Sequence, residues 1–266
     1  MAAFVFPEID PVIFQIGPLA VRWYGLMYVL GFLASYYLVR RQIREFSYHR
    51  LNDHFENLNM VLILAVIVGG RLGYVLFYNL SYYLAHPLEI LATWSGGMSF
   101  HGGCIAALLG GWLYCRIKAL DFWKTADIYT ATIPIGLGLG RIGNFINGEL
   151  YGRVTDVPWA MVFPGGGPLP RHPSQLYESL LEGLLLFTVL WTLRRKPWQN
   201  NRLWPHGSIF ALFLSGYGCI RIIVEGFREP DQQIGYLLGF LTMGQVLSGA
   251  MVIGGLVIWK FRMGGK

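Results

Sequence analysis

Charge is what this sequence has least of: Asp, Glu, Lys and Arg together make up 14% of its 266 residues. With 54% apolar residues and a mean hydropathy of +0.45, that scarcity excludes an ordinary soluble domain and points to a polytopic membrane protein. Cysteine is nearly absent too. Cys104, Cys115 and Cys219 sit in or at the ends of apolar runs with no CxxC spacing, so no disulfide framework and no metal site is expected, only packing. The opening MAAFVFPEIDPVIFQIGPLA lacks a basic start and a cleavage pattern, so no removed signal peptide is expected. No internal repeat is visible, which weakens a transporter built on inverted repeats.

What is present is a series of long apolar segments. Seven reach spanning length, at about residues 20–39, 57–78, 98–115, 126–145, 175–193, 208–226 and 240–259. The expected fold is therefore all-α: a single membrane domain over 1–266 with seven transmembrane helices. Residues 146–174, rich in Gly and Pro, are expected to form a small head between the fourth and fifth helices, made of short strands and turns. The loops after the first, third and fifth segments and the C-terminal tail hold fourteen Lys and Arg, against three in the N-terminus and the other loops. That bias puts the N-terminus outside and the C-terminus in the cytoplasm. The net charge of +6 is thus topological, and nucleic-acid binding loses its support. Nine Trp and fifteen Tyr suit belts at the two membrane interfaces.

Four arginines remain within or at the ends of the spans: Arg22, Arg71, Arg141 and Arg221. Arg22 is placed to snorkel, and Arg71, in VGGRLGY, is an inner-side group with no assigned role. Arg141 and Arg221 both lie toward the outer ends of upgoing segments. Charged side chains at membrane depth are costly and tend to be kept for function.

The densest polar stretch is GRIGNFINGELYGR, residues 140–153, with Arg141, Asn144, Asn147, Glu149 and Tyr151 among glycines. Arg141, Asn144 and Gly148 share one face if the helix continues that far. In YGCIRIIVEGFREPD, Tyr217, Arg221 and Glu225 recur at i, i+4 and i+8, with an Arg221–Glu225 pair expected and Arg228 as an interfacial anchor. HPSQLYESLLEG brings His172, Gln175, Tyr177, Glu178 and Glu182. A helix N-terminus favours Glu178, whereas Glu182 lies deeper, and the work of both is open. His101 stands between Phe100 and glycines at an outer end, and Tyr24, in VRWYGLMY, occupies an aromatic-belt position with inward reach as the alternative. Together these residues describe an outward-facing polar cavity for an anionic headgroup, with His101 as a base. On residue chemistry alone, an enzyme and a carrier of an anionic lipid both fit.

GRIGNFINGELYG resembles the signature of the prolipoprotein diacylglyceryl transferases, also called phosphatidylglycerol–prolipoprotein diacylglyceryl transferases. VRWYGLMY, SFHGG, RHPSQLYE and RIIVEGFREPD resemble the family's other blocks in the same order, over essentially the whole chain. The resemblance implies a multi-pass enzyme of the bacterial inner membrane with a periplasmic N-terminus and head and a cytoplasmic C-terminus. It implies transfer of the sn-1,2-diacylglyceryl group of phosphatidylglycerol to the thiol of the lipobox cysteine of a preprolipoprotein, with release of sn-glycerol 1-phosphate. This is the first step of lipoprotein maturation. The implied partners are phosphatidylglycerol, lipobox signal peptides and the bilayer, and no metal or cofactor is implied. Matched motif by motif, the catalytic positions are Tyr24, His101, Arg141 and Arg221. The substrate-binding positions are Arg141, Asn144, Glu149, Gly152, Arg221 and Glu225. Whether His101 takes the thiol proton or orients the headgroup is open. A transporter or flippase of an anionic lipid or solute is the alternative from another class, and it would use the same arginines.

Overall fold

Proline and glycine decide where the helices break and how closely they pack. The computed structural model describes the chain except residues 1–3, 8, 18, 94–95, 201, 230–235, 238–240 and 265–266, so Pro230 and Asp231 of the last motif lie outside the described residues. In chain order the elements are β1 (Phe4–Val5), β2 (Val12–Ile16), β3 (Leu19–Arg22), α1 (Trp23–Glu45), α2 (His49–Asn52), α3 (Phe55–Tyr78) and α4 (Leu80–Ala85). There follow α5 (Phe100–Ile117), α6 (Phe122–Thr130), α7 (Ile133–Ile146), β4 (Met161–Val162), α8 (Ser174–Glu178) and α9 (Leu186–Leu193). The last are α10 (Ser208–Glu225), β5 (Tyr236–Leu237), β6 (Leu241–Thr242) and α11 (Met243–Gly264). Among the described residues four helices are long and apolar enough to cross a membrane: Phe55–Tyr78, Ser174–Gln199, Ser208–Glu225 and Met243–Gly264. The chain is a mostly helical, polytopic membrane protein. It divides into two units, residues 43–125 and residues 1–42 with 126–266.

Within residues 43–125, α3 and α5 cross on glycine. A Cβ on Gly69 would collide with Ala106, one on Gly73 would lie 2.8 Å from Gly102 Cα, and one on Gly110 would lie 3.2 Å from Ala65 Cβ. Lipid is as apolar as leucine, so close backbone packing of this small-residue kind, with hydrogen bonds, holds membrane helices together. Ser99 begins α5 as its N-cap, its Oγ accepting from Gly102 N at 3.2 Å.

In the other unit the segment expected as one helix over 126–145 is two, α6 and α7. Pro134 falls in the first turn of α7, where its missing N–H is harmless, whereas inside a continuous helix it would remove a backbone hydrogen bond and clash with the preceding turn. Residues of α1 bind the break: Ser35 Oγ lies 2.6 Å from Thr132 Oγ1, and Gln42 Nε2 donates to Ile128 O at 2.9 Å. Asp127, buried at the end of α6, caps another helix. Its Oδ2 accepts from Gly207 N at 2.7 Å, and its Oδ1 accepts from Ile209 N and Phe210 N at 3.0 Å each, meeting the orphan donors of α10.

Between α8 and α9 the rod is π-helical over Ser179–Leu185, and there Gly183 packs on Gly138 of α7 so closely that a Cβ on Gly138 would lie 3.0 Å from Gly183 Cα. Residues 147–173 hold turns, the strand β4, which pairs in parallel with β1 from the N-terminus, and isolated bridges of Arg171 with Val154 and Met161. Of the three free cysteines only Cys115 is buried; Cys104 and Cys219 are exposed, so packing accounts for one of them and not for all three.

Candidate active site

Two carboxylates one helical turn apart form the centre of the second unit. Glu178 ends α8, Glu182 lies in the π-helical stretch, and both are fully buried at 0% exposure. A buried carboxylate needs opposite charge, since an unpaired ion in this environment costs several kcal/mol, about 3–5 when a partner is removed. Three arginines supply it. Glu178 Oε2 lies 2.6 Å from Arg141 Nε and 3.0 Å from Arg221 Nη1, and Glu178 Oε1 lies 3.7 Å from Arg228 Nη1. Glu182 is more loosely held, 3.5 Å from Arg221 Nη1 and 3.9 Å from Arg141 Nε. Arg221 Nη2 pairs with Glu225 Oε2 at 2.9 Å, as the i, i+4 spacing predicts. Glu225 Oε1 in turn accepts from Thr242 Oγ1 at 3.1 Å. The three glutamates and three arginines balance.

The two central arginines are not equivalent. Arg221, 12% exposed, turns both Nη nitrogens to carboxylates. Arg141, 21% exposed, meets its glutamates through Nε, and no hydrogen bond among the described residues engages its Nη nitrogens. Its partner is Glu178, from another helix, and not Glu149 nearby in sequence. Arg228 is also placed differently from expectation. Its side chain is largely buried against Glu178, because the chain there is drawn in by a bridge to Gly152 and by Arg153 Nε donating to Arg228 O at 2.7 Å.

Beyond Arg141, α7 ends at Ile146, so Gly148 leaves the face shared by Arg141 and Asn144. Gly148 at φ +65° and Leu150 at φ +59° turn the chain back on itself. The left-handed conformation is cheap for glycine and strained for leucine, by about 1–2 kcal/mol. The turn brings Glu149 back to the helix: its Oε1 accepts from Asn144 Nδ2 at 2.8 Å and from Asn147 Nδ2 at 3.2 Å, and Gln175 Nε2 donates to its backbone oxygen at 2.7 Å. Tyr24 packs its ring on Gly143, where a Cβ would lie 2.9 Å from it. Its hydroxyl lies 3.0 Å from that of Tyr28, and the packing on Gly143 turns Tyr24 toward α7 instead of leaving it as a belt residue. Gly152 N donates to His172 O at 2.8 Å; a Cβ there would collide with Phe227 O.

The structure thus joins Arg141, Arg221 and Glu225 in one network, with Asn144, Glu149 and Tyr24 adjoining Arg141's helix and Gly152 fixing Arg228. The same network adds Glu178, Glu182 and Arg228, which the motif match omits. Their signal was two acids four residues apart in an otherwise apolar helix. His101 belongs to residues 43–125 and is exposed as the second residue of α5, its ring 5.8 Å from that of Phe100. Beside the network, His172 Nδ1 lies 3.1 Å from Tyr177 Oη, which accepts from Trp159 Nε1 at 2.6 Å, and burial pushes the imidazole of His172 below its ordinary pKa.

A family model described as prolipoprotein diacylglyceryl transferase matches residues 11–261. The chain belongs to the prolipoprotein diacylglyceryl transferase family. A relative from Desulfotalea psychrophila named phosphatidylglycerol–prolipoprotein diacylglyceryl transferase is 65% identical over 99% of this chain and 97% of its own length. Relatives of the same name from Geobacter sulfurreducens and Vibrio vulnificus are 54% and 51% identical, over 95% and 97% of this chain and 95% and 94% of their own lengths. Membership of this transferase family does not favour the transporter alternative.

Proposed function

We propose that this family member transfers the sn-1,2-diacylglyceryl group of phosphatidylglycerol to the lipobox cysteine thiol of a preprolipoprotein and releases sn-glycerol 1-phosphate. The relatives' shared name supports the two substrates. The structural observation that carries the reading is Arg141: a buried carboxylate grips its Nε and leaves the edge formed by its two Nη nitrogens for a planar, bidentate anion contact.

The reaction forms a bond from the cysteine sulfur to the sn-3 carbon of the glyceryl group as the bond from that carbon to the phosphate oxygen breaks. The electron pair leaves with the phosphate, which becomes a monoester and gains negative charge. Arg141 meets that growing charge more strongly than it meets the diester, so it stabilises the transition state over the ground state. Arg221 adds positive potential and holds Glu178 and Glu182 in place, while Glu225 anchors Arg221. Asn144, oriented by Glu149, and the Tyr24 hydroxyl supply hydrogen bonds to the glycerol headgroup, and Gly152 keeps the backbone close. The nucleophile is the thiolate, so the thiol proton must leave. His101, assigned from its motif, accepts that proton or orients the headgroup.

In this reading the chain crosses the bacterial inner membrane seven times, with the N-terminus and the head of residues 146–174 periplasmic and the C-terminus cytoplasmic. The distribution of Lys and Arg supports that orientation. Purified protein reconstituted with phosphatidylglycerol and a lipobox peptide tests the proposal. Thioether product and glycerol phosphate are expected from wild type, and neither from Arg141→Ala or from a peptide whose cysteine is serine. Well-folded wild type that makes no thioether would overturn it.

A further inference from the structure

Arg71 carries a charge that no carboxylate among the described residues neutralises, although its side chain is only 4% exposed. Its guanidinium is committed to backbone oxygens of the connection between α4 and α5. Nε donates to Ile90 O at 2.8 Å, Nη2 to Glu89 O at 2.6 Å, and Nη1 to Gly96 O at 2.6 Å and Gly97 O at 3.2 Å. Gly96 and Gly97, at φ +84° and +77°, adopt the left-handed backbone that turns both carbonyls toward it. The Tyr83 ring covers the guanidinium, with its centroid 5.1 Å from Cζ. Arg71 therefore sits in the C-terminal half of α3, beside the connection between α4 and α5.

From this clasp the chain runs directly to His101. Ser99 N donates to Gly70 O at 2.8 Å, next to Arg71 on α3, and Ser99 Oγ then caps α5. Gly102 rests on Gly73 of α3. His101 lies between Ser99 and Gly102, and no hydrogen bond among the described residues holds its imidazole. Its position is inherited from the backbone of residues 96–102, and Arg71 fixes where that backbone starts.

We propose that Arg71 is a positioning residue for His101, a step that rests on the transferase reading above. Lysine cannot replace it, because an ammonium lacks the planar fork that reaches four carbonyls at once. A misplacement of about 1 Å in a reacting group lowers the rate by about 100-fold, which sets the scale expected here.

The test compares full-length wild type with Arg71→Ala, Arg71→Lys and Gly97→Ala, measuring kcat, KM for phosphatidylglycerol, and amide hydrogen exchange. Gly97→Ala leaves the guanidinium in place but sets a methyl 2.9 Å from Arg71 Nη1 and against the Tyr74 ring, so it disturbs the clasp even if Arg71→Ala fails to fold. The expected result is a kcat lower by about 100-fold in both Arg71 variants and by about tenfold in Gly97→Ala, with KM within about twofold. Exchange across residues 96–103 rises about tenfold while residues 55–68 stay protected. A folded variant with wild-type kcat, or with unchanged exchange across 96–103, overturns the proposal. Should wild type itself make no thioether, the transferase reading fails, and the exchange data still report whether Arg71 holds the segment.

Discussion

Glu178 Oε2 approaches Arg141 at Nε, 2.6 Å away, on the side of the guanidinium that a phosphate does not need. The carboxylate acts as an orienting group: it satisfies the arginine's inner edge and leaves the outer edge for ligand. The same oxygen lies 3.0 Å from Arg221 Nη1, so one buried atom sets the angle between two cations.

Replacing Glu178 by Gln keeps the shape and removes the charge. Three arginines then lose their common partner, a change of the kind that costs about 3–5 kcal/mol when a buried pair is broken. The thermal midpoint of the purified protein is expected to fall, and kcat to drop by about 100-fold at a temperature where the variant is still folded. Wild-type turnover in a folded Glu178→Gln protein would remove Glu178 from the site.

Asn144 and Glu149 offer a test by exchange of polarity. Asn144 Nδ2 donates to Glu149 Oε1 at 2.8 Å, so Asn144→Asp sets two acceptors against each other and should lose activity. Glu149→Gln weakens a bond to a charged group, of about 1.5–3 kcal/mol. Combining the two restores one donor and one acceptor. The double variant is therefore expected to be more active than Asn144→Asp alone, and equal or lower activity would show that the pair does not act through this bond.

Asp127 tests the frame without touching the site. Its carboxylate takes three backbone N–H groups at the start of α10, the helix that carries Arg221 and Glu225. Loss of a helix cap of this kind costs about 0.5–2 kcal/mol. Asp127→Ala is expected to lower the thermal midpoint, and Asp127→Asn, which keeps one acceptor, to lower it less. Similar kcat values well below the transition would place the effect in stability; an unchanged midpoint for Asp127→Ala would contradict the cap.

Much of this was legible in the residue order, and the exceptions have physical causes. Apolar runs marked the helices, because a segment that crosses lipid must hide its own backbone. The Arg221–Glu225 pair followed from helical spacing alone. Arg141–Glu178 did not, since periodicity describes one helix and carries no distance to the next. The nearer acid, Glu149, is drawn instead to Asn144 by a chain reversal that depends on the left-handed Gly148 and Leu150. The break between α6 and α7 was hidden by hydropathy, as Pro134 sits among residues too apolar to look like a turn. The π-helical stretch has no residue signature at all; what the structure shows there is the close approach of Gly183 to Gly138 on a different helix, which periodicity along one helix does not carry.

His172 links burial to pH. It lies between the rings of Tyr177 and Phe227, with centroids 5.8 and 5.2 Å from its own. Burial pushes its pKa below the ordinary value, because the charged form loses water. In the unfolded chain the imidazole takes up its proton near pH ~6.5, whereas the folded protein takes it up only at lower pH. Between those two values the unfolded state binds more protons, so stability rises with pH through this window. The contribution is fully present above pH ~6.5 and is lost as pH falls toward the folded value. The thermal midpoint of wild type is therefore expected to fall more steeply with acidification below pH ~6.5 than that of His172→Gln, the two curves running parallel above it. A steeper fall in the variant would mean that the folded protein favours the charged ring, contrary to its aromatic surroundings.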